Sequence, residues 1–272
     1  MSAAAHAFVR HPAASLATHC ELTFVDRAEI AVDALRRQHA DYCAALTSAG
    51  ARVRALDAIE ALPDSVFVED AAVVLDEIAI LTRPGASSRM PEPACVADAL
   101  AAHRTLARIE APGTLEGGDV LRIGRTLYVG MTTRSNRAGI DQLAAHVRPH
   151  GYAVVPVATP GALHLKTACT ALDDDTLLAN PAWVDLSAFA GFRILHVAED
   201  EPFAANVLPI GNARIVNAAF PRTRERIDAH ARGAGLRTIA VDISEFGKAE
   251  AGLTCMSLVF DDRTGAGPRF AG

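Results

Sequence analysis

The chain has 272 residues, of which 50% are hydrophobic and 21% charged, with a formal net charge of −6. That balance fits a globular protein with a sizeable core and excludes a broad nucleic-acid surface, which needs a basic stripe to neutralise phosphates. No apolar run is long enough to span a bilayer, residues 1–11 carry no signal-like stretch, and the five cysteines form no C-x-x-C pair.

These features predict a cytoplasmic protein with reduced thiols and neither a disulfide framework nor a zinc ribbon. No Ser/Gly/Pro-rich linker divides the chain, so 1–272 reads as one domain. In chain order, a helix is predicted over 29–48, where Val32, Leu35, Tyr42 and Leu46 recur at helical spacing and Gly50 supplies a stop. A hairpin follows, Ala72–Leu75 against Ile78–Leu81 around Asp76-Glu77, then a helix over 93–103. The second hairpin sets Val120–Ile123 against Leu127–Val129 around Gly124-Arg125-Thr126, ahead of a helix over 136–148 and a strand at Ala153–Val157. A third places Ala168–Leu172 against Thr176–Ala179 across three aspartates. The fourth joins Asn206–Ile210 to Arg214–Asn217 through Gly211-Asn212, before a helix over 222–232 and a strand at Thr238–Val241. A less regular fifth runs through Ser257–Phe260 to a turn at Asp261-Asp262. Gly, Asn and Asp are the residues such short loops require. The turns recur at a period of about 50 residues, which predicts an α/β protein built as a radial or stacked array of five strand–helix repeats.

Chemistry-bearing residues stand just before the hairpins. Glu69-Asp70 precedes the first, Glu116 the second, His164 the third and Cys255 the last. If the repeats surround an axis, equivalent ends converge, and carboxylates, an imidazole and a thiol meet. A thiolate is a strong nucleophile, and an adjacent imidazole can hold it ionised and protonate a leaving group. Acids at the same point suit a cationic electrophile, and two acids at the start of a buried hairpin are costly unless they serve a cation. A guanidinium carbon is planar and positive, and carboxylates can grip its N–H groups in pairs.

The stretches Asp64–Asp70, Leu81–Arg89, Leu115–Asp119, Gly130–Asn136, Leu163–Thr167 and Thr254–Phe260 resemble, in order, the motifs of dimethylarginine dimethylaminohydrolases. That family belongs to the guanidino-group-modifying (pentein) superfamily, and the similarity spans about residues 7–260. The resemblance implies a fivefold pseudosymmetric α/β propeller that hydrolyses Nω-methylated arginine to citrulline and mono- or dimethylamine, without metal or organic cofactor. It implies Cys255 as nucleophile and His164 as general acid/base, oriented by Glu116. Asp70 would bind the guanidinium, and Glu69 would support the substrate-binding loop. Asp64 and the backbone carbonyl of Leu22 would take the α-ammonium, and Arg89 and Arg134 the α-carboxylate. The segment Ser15–Asp26, expected as a flap over the site, departs from the family pattern, and the tail beyond Phe260 has no counterpart. The implied partner is a small molecule, with no nucleic acid and no membrane, and a homodimer is kept open. Two other readings stand beside this one. An arginine deiminase or another guanidine-modifying enzyme would share the chemistry as far as the thiouronium, and a silent binding protein would have no use for the thiol.

Overall fold

A hairpin leaves one strand edge unpaired, and here the chain returns through a helical crossover to fill that edge with a parallel strand. The structure, a computed structural model, describes residues 5–261. It opens with strand β1 (Ala5–Arg10), a one-turn helix α1 (Leu16–His19), helix α2 (Val32–Ser48) and β2 (Arg52–Leu56). Strands β3 (Ala72–Val74) and β4 (Ile78–Leu81) form the first hairpin, and α3 (Ala94–Ala101) leads to β5 (Thr105–Arg108), parallel to β4. The pattern repeats with β6 (Val120–Ile123), β7 (Thr126–Met131), α4 (Arg137–Val147) and β8 (Ala153–Ala158). Helix α4 starts where it does because Asn136 accepts the Gly139 N–H, a capping bond at the first turn. After the short α5 (Leu165–Ala168) come β9 (Cys169–Ala171), β10 (Thr176–Ala179) and β11 (Arg193–His196), with only a helical turn at Leu186–Phe189 as crossover. A fourth unit holds β12 (Leu208–Ile210), β13 (Ala213–Asn217), α6 (Pro221–Gly233) and β14 (Arg237–Val241). Helix α7 (Ser244–Gly247) and β15 (Leu258–Asp261) complete the described chain.

The fifth unit corrects the sequence reading. The Ser257–Phe260 segment is not one arm of a local hairpin. Strand β15 pairs antiparallel with β1, with Leu258 opposite Phe8 and Asp261 opposite Ala5, and β1 runs parallel to β2. The N-terminal strand therefore supplies the middle of the last sheet and closes the ring. Such a pairing joins the two ends of the chain, and no local pattern announces it. Asp262, the other half of the expected turn, lies outside the described residues. Strands β2, β5 and β11 were also not foreseen, because these outer strands contain only exposed and half-buried residues and carry no long apolar run.

Five apolar clusters fill the five seams between neighbouring sheets. Ile140 and Leu143 of α4 pack with Ile80 and Val120 between the first and second units, and Leu165 and Phe189 with Leu121 between the second and third. Leu178, Val216 and Ile227 fill the next seam, and Leu35 and Leu46 of α2 pack with Ile215 and Val9 in the one after it. Phe8 and Phe260 meet Leu81 and Leu100 in the last. Each sheet shares a cluster with two others, so the units form a closed fivefold ring with propeller-like α/β architecture.

Candidate active site

In every unit the first strand of the sheet begins at the same end of the ring. Bonds between these beginnings cross from one unit to others that are not its neighbours in the chain. Glu69 Oε1 accepts from Lys166 Nζ at 2.5 Å, and Glu69 Oε2 accepts from Thr254 Oγ1 at 2.7 Å. A bond from the first unit to the third is possible only if these beginnings meet at the ring's centre. The convergence inferred from the sequence register is therefore present.

His164 is the middle of the cluster. Its Nε2 lies 2.6 Å from Glu116 Oε2 and 3.8 Å from Asp70 Oδ1, and all three side chains are buried. Their polar atoms fall within 4.8 Å of one another. Burial disfavours the imidazolium, but Asp70, the Glu116 bond and Asp119 outweigh it and carry His164 up to about 9. Burial likewise works against the Asp70 carboxylate, yet His164, Arg89 and the Gly118 N–H hold it down to about 2. Glu116 is also lowered, burial being overcome by its bond to His164. His164 is thus a cation in the resting protein.

Gly118 makes this packing possible. A Cβ there would come within 2.7 Å of both Asp70 Oδ1 and His164 Nδ1, while the Gly118 N–H donates to Asp70 Oδ1 at 2.9 Å. Gly118→Ala is expected to push the imidazole and the carboxylate apart and lower kcat/KM by roughly 10²-fold, since misplacing reacting groups by about 1 Å costs that much. Steady-state kinetics on a variant whose thermal midpoint is retained would check this, and a fall of less than threefold would contradict it.

Cys255 sits in a helical turn, Thr254–Met256, ahead of β15, and is 8% exposed. Its Sγ accepts the Gly252 N–H at 3.3 Å. Burial raises its pKa far above the ordinary thiol value, and the charges of Glu69 and Asp70 raise it further, so the resting group is a thiol. The loop is braced from two sides. Tyr42, wholly buried on α2, donates to the Leu253 carbonyl at 2.8 Å and lies 2.7 Å from Ser257 Oγ. Asn206 Oδ1 accepts the Thr254 N–H at 3.0 Å, and its Nδ2 donates to Thr254 Oγ1 and to the Lys166 carbonyl.

The resemblance gives Arg89 and Arg134 one role, but their surroundings differ. Arg89 directs Nη1 at Asp70 Oδ2 (2.8 Å), Nε and Nη2 at Glu92, and Nη2 also at the carbonyls of Asp64 and Phe67. Its N–H groups thus hold Asp70 and the preceding loop in place. Arg134 donates Nη2 to Thr23 Oγ1 at 3.1 Å, while its buried Nη1 has no hydrogen-bond partner among the described residues and stands 3.8 Å from Glu116 Oε1. Arg134 therefore keeps a free donor directed at the site.

Of the expected flap Ser15–Asp26, residues 16–19 form the one-turn helix α1, and the irregular segment over this face runs from 20 to 31. The Glu21 N–H bonds both oxygens of Asp64, whose pKa burial raises, and Leu22 lies half-buried against the apolar core. The flap is fastened to the Cys255 loop by Glu250, which accepts the N–H groups of Thr23 and Val25 at 2.8 Å each and that of Phe24 between them. Glu250 adopts φ 58°, a left-handed conformation that non-glycine residues rarely take. Glu250→Gly keeps that backbone and removes only the fastening. KM should rise roughly tenfold with a smaller change in kcat, the loss of a few charge-assisted bonds. An unchanged KM would show that the flap closes without Glu250.

Sequence reasoning placed an acid, an imidazole or a thiol before four of the five sheets and left the fourth unit empty. Asn206, which opens that hairpin, fills the vacancy, and the shared register was the signal that could have found it. Lys166 lies within the Leu163–Thr167 stretch already singled out, and its pairing with Glu69 could not be read locally. Beyond that pair, on the side of the hairpin turns, the ring encloses a cavity of about 510 Å³ whose walls include Glu69, Lys166, Leu208 and Phe260 but not Cys255 or His164.

The arginine deiminase family matches residues 58–201. The chain is 38% identical over 257 residues to the N(G),N(G)-dimethylarginine dimethylaminohydrolase of Pseudomonas aeruginosa, covering 94% of this chain and 99% of that one. It is 40% identical over 254 residues to the protein of that name from Streptomyces coelicolor, covering 93% and 95%. The chain belongs to the dimethylarginine dimethylaminohydrolase family. A crystal structure of the Pseudomonas aeruginosa enzyme, a cysteine-to-serine variant complexed with citrulline, superposes with a TM-score of 0.89 at 35% identity, covering 96% of this chain and all of that one. The arginine deiminase of Mycobacterium tuberculosis is 27% identical over 246 residues, covering 73% of this chain and 60% of that one.

Proposed function

We propose that this chain hydrolyses Nω-methylated L-arginine to L-citrulline and mono- or dimethylamine through a covalent thiouronium on Cys255. The observation that carries the reading is the meeting of Asp70, Glu116 and His164 within 4.8 Å, in electrostatic reach of a buried thiol. Membership of the family supports the choice of a methylated substrate.

Asp70 receives the guanidinium, whose positive charge favours the Cys255 thiolate over the thiol. Sγ attacks the guanidinium carbon and forms a tetrahedral adduct. Nε2 of His164 is held by Glu116, so Nδ1 gives its proton to the departing methylamine nitrogen, and the C–N bond breaks to leave the thiouronium. Water then attacks the same carbon, the now neutral imidazole takes one of its protons, and collapse expels the Cys255 thiolate and releases citrulline as the remaining hydroxyl proton passes to solvent. Glu116 stabilises the imidazolium in each half-reaction and fixes the ring. Arg134 takes the α-carboxylate through its free Nη1, and Arg89 holds Asp70 rigid beneath the substrate. Asp64 and the carbonyl of Leu22 receive the α-ammonium, and Glu69 braces the Cys255 loop through Thr254. No step asks for a metal or an organic cofactor.

The reading extends to one domain over 1–272, a cytoplasmic setting and a homodimer. The five cysteines are all unpaired, which suits a reducing compartment, and no helix among the described residues is long and apolar enough to cross a membrane. Parallel incubations with dimethylarginine, monomethylarginine and arginine, measuring citrulline and the released amine, test the reading. Citrulline with dimethylamine supports it, whereas turnover of arginine alone, with ammonia, would make the chain a deiminase.

A pH dependence follows from the resting charge state. The free protein holds a thiol and an imidazolium, one proton more than the thiolate–imidazolium pair that reacts. That proton leaves as pH passes the lower value of the coupled pair, about 9 on His164. The expected kcat/KM rises about tenfold per pH unit from near pH 6 and levels off near pH 9. In the complex the substrate cation favours losing that proton, so the kcat profile should level off at lower pH. A kcat/KM that is flat between pH 6 and 9 would contradict this charge state.

A further inference from the structure

We propose that Asp119 is a positioning residue that holds the proton shuttle, its orienting carboxylate and the Arg134 donor in one rigid frame. The inference rests on the hydrolase reading above and adds a residue that touches neither substrate nor thiol. Asp119 ends the Leu115–Asp119 motif and is wholly buried. Oδ1 accepts the N–H of Leu165, the residue after His164, at 2.9 Å. Oδ2 accepts from Ser135 Oγ at 2.6 Å and Thr132 Oγ1 at 2.7 Å. Ser135 Oγ in turn accepts the Glu116 N–H at 3.1 Å, and Thr132 Oγ1 accepts the Arg134 N–H at 3.1 Å. One carboxylate therefore reaches the backbone of His164's neighbour directly, and the backbones of Glu116 and Arg134 through one hydroxyl each.

The chemistry of this hub calls for an acid. All three partners are donors, and a carboxylate offers acceptors on both oxygens, whereas an amide would turn an NH₂ group against one of the donors. Burying an acid without a cation bonded to it is unfavourable, and burial pushes Asp119 up to about 6 even with His164 nearby and three donors on its oxygens. The fold itself does not need the acid. The residues in the same place before the other four sheets are Ala71, Ala168, Val207 and Ser257, none of them ionisable. Room for the acid comes from Gly130, where a Cβ would stand 2.6 Å from Asp119 Oδ1.

Asp119→Asn, Ser135→Ala and Thr132→Val test the frame, each read by kcat, KM, thermal midpoint and the pH profile, with the His164 ring titrated by NMR in parallel. Three acids face that imidazole: Asp70 from the turn before β3, Glu116 and Asp119 from either side of the Gly117-Gly118 turn. Behind them stand Arg89 on Asp70 and Arg134 near Glu116, and Lys166 lies on the imidazole's own helix. The expected result for Asp119→Asn is a kcat lower by roughly 10- to 100-fold, the range for losing an outer partner of a catalytic ligand. His164 should also titrate at lower pH, because one of its three neighbouring charges is gone. Ser135→Ala should lower kcat less and leave the His164 titration in place. If Asp119→Asn keeps kcat within twofold and the His164 titration unmoved while only the thermal midpoint falls, Asp119 is merely structural and the proposal is overturned. Should that variant fail to fold, wild-type kcat in both hydroxyl variants overturns it equally. The NMR titration reads the frame even without turnover, so an inactive wild type would count against the hydrolase reading alone.

Discussion

Cys255→Ser is expected to lower turnover of dimethylarginine by about 10⁴-fold or more while leaving substrate affinity within a few-fold of the parent. The two effects separate because the parts of the site are separate. The groups proposed to hold the substrate, Asp70, Asp64, Arg134 and the flap, do not bond the thiol, whose hydrogen-bond donor is the Gly252 N–H. A serine hydroxyl fits the space but ionises far less readily than a thiol, and the resting Cys255 is already raised by burial and by Glu69 and Asp70. Against that barrier the site brings the Gly252 N–H, the Lys166 charge and the substrate cation, enough for sulfur and not for oxygen. Calorimetric titration of the variant with dimethylarginine, beside its residual rate, checks both halves. Retained turnover would remove Cys255 as nucleophile, and lost binding would mean that the thiol also shapes the pocket.

Asp70→Ala should fail twice, once in catalysis and once in stability. Catalytically, the variant loses the group proposed to receive the guanidinium and one of the charges holding His164 protonated, so kcat/KM is expected to fall by about 10²- to 10³-fold. In the folded chain it also strips a partner from Arg89, whose side chain is 6% exposed. Removing one member of a buried ion pair costs about 3–5 kcal/mol. Arg89 still has Glu92 at 2.8 Å, which places the expected loss at the low end, about 3 kcal/mol. For a chain of this length that lowers the thermal midpoint by roughly 5 °C. Asp70→Asn should lose nearly as much activity but less stability than Asp70→Ala, because the amide oxygen can still accept from Arg89 or the Gly118 N–H. Calorimetry on the two variants together checks the separation. A midpoint for Asp70→Ala within about 2 °C of the parent would show that Glu92 alone satisfies Arg89.

The legible part of this fold was the part with local causes. Asp76-Glu77, Gly124, the three aspartates from Asp173 and Gly211-Asn212 mark turns because those residues suit tight loops, and each does turn a hairpin. The amphipathic face of Leu35, Tyr42 and Leu46 likewise located α2. What was not legible needed distant partners. Strand β1 has its place because β15, at the far end of the chain, leaves an edge for it, and β2, β5 and β11 are outer strands whose side chains are too exposed to leave an apolar run.

At the site, the register before each hairpin was enough to foresee that Asp70, Glu116 and His164 would meet. It could not reveal which side chain each would face. That Arg89 would pair with Asp70, Lys166 with Glu69, and Glu250 with the flap backbone depends on contacts across the ring, where neighbouring residues in space are scores of positions apart in sequence. Asp119 shows the same limit from within a motif: its place was visible, and its three donors were not.

The central claim is that Cys255 forms a covalent intermediate with the guanidinium carbon, and acid-quenched turnover followed by peptide mass spectrometry tests it most directly. Asymmetric dimethylarginine and monomethylarginine should leave the same added mass on the Cys255 peptide, because the one loses dimethylamine and the other methylamine before the same thiouronium forms. The four other cysteines should stay unmodified. An adduct that differs between the two substrates, one on another residue, or turnover with no adduct on Cys255 at any quench time would contradict the account.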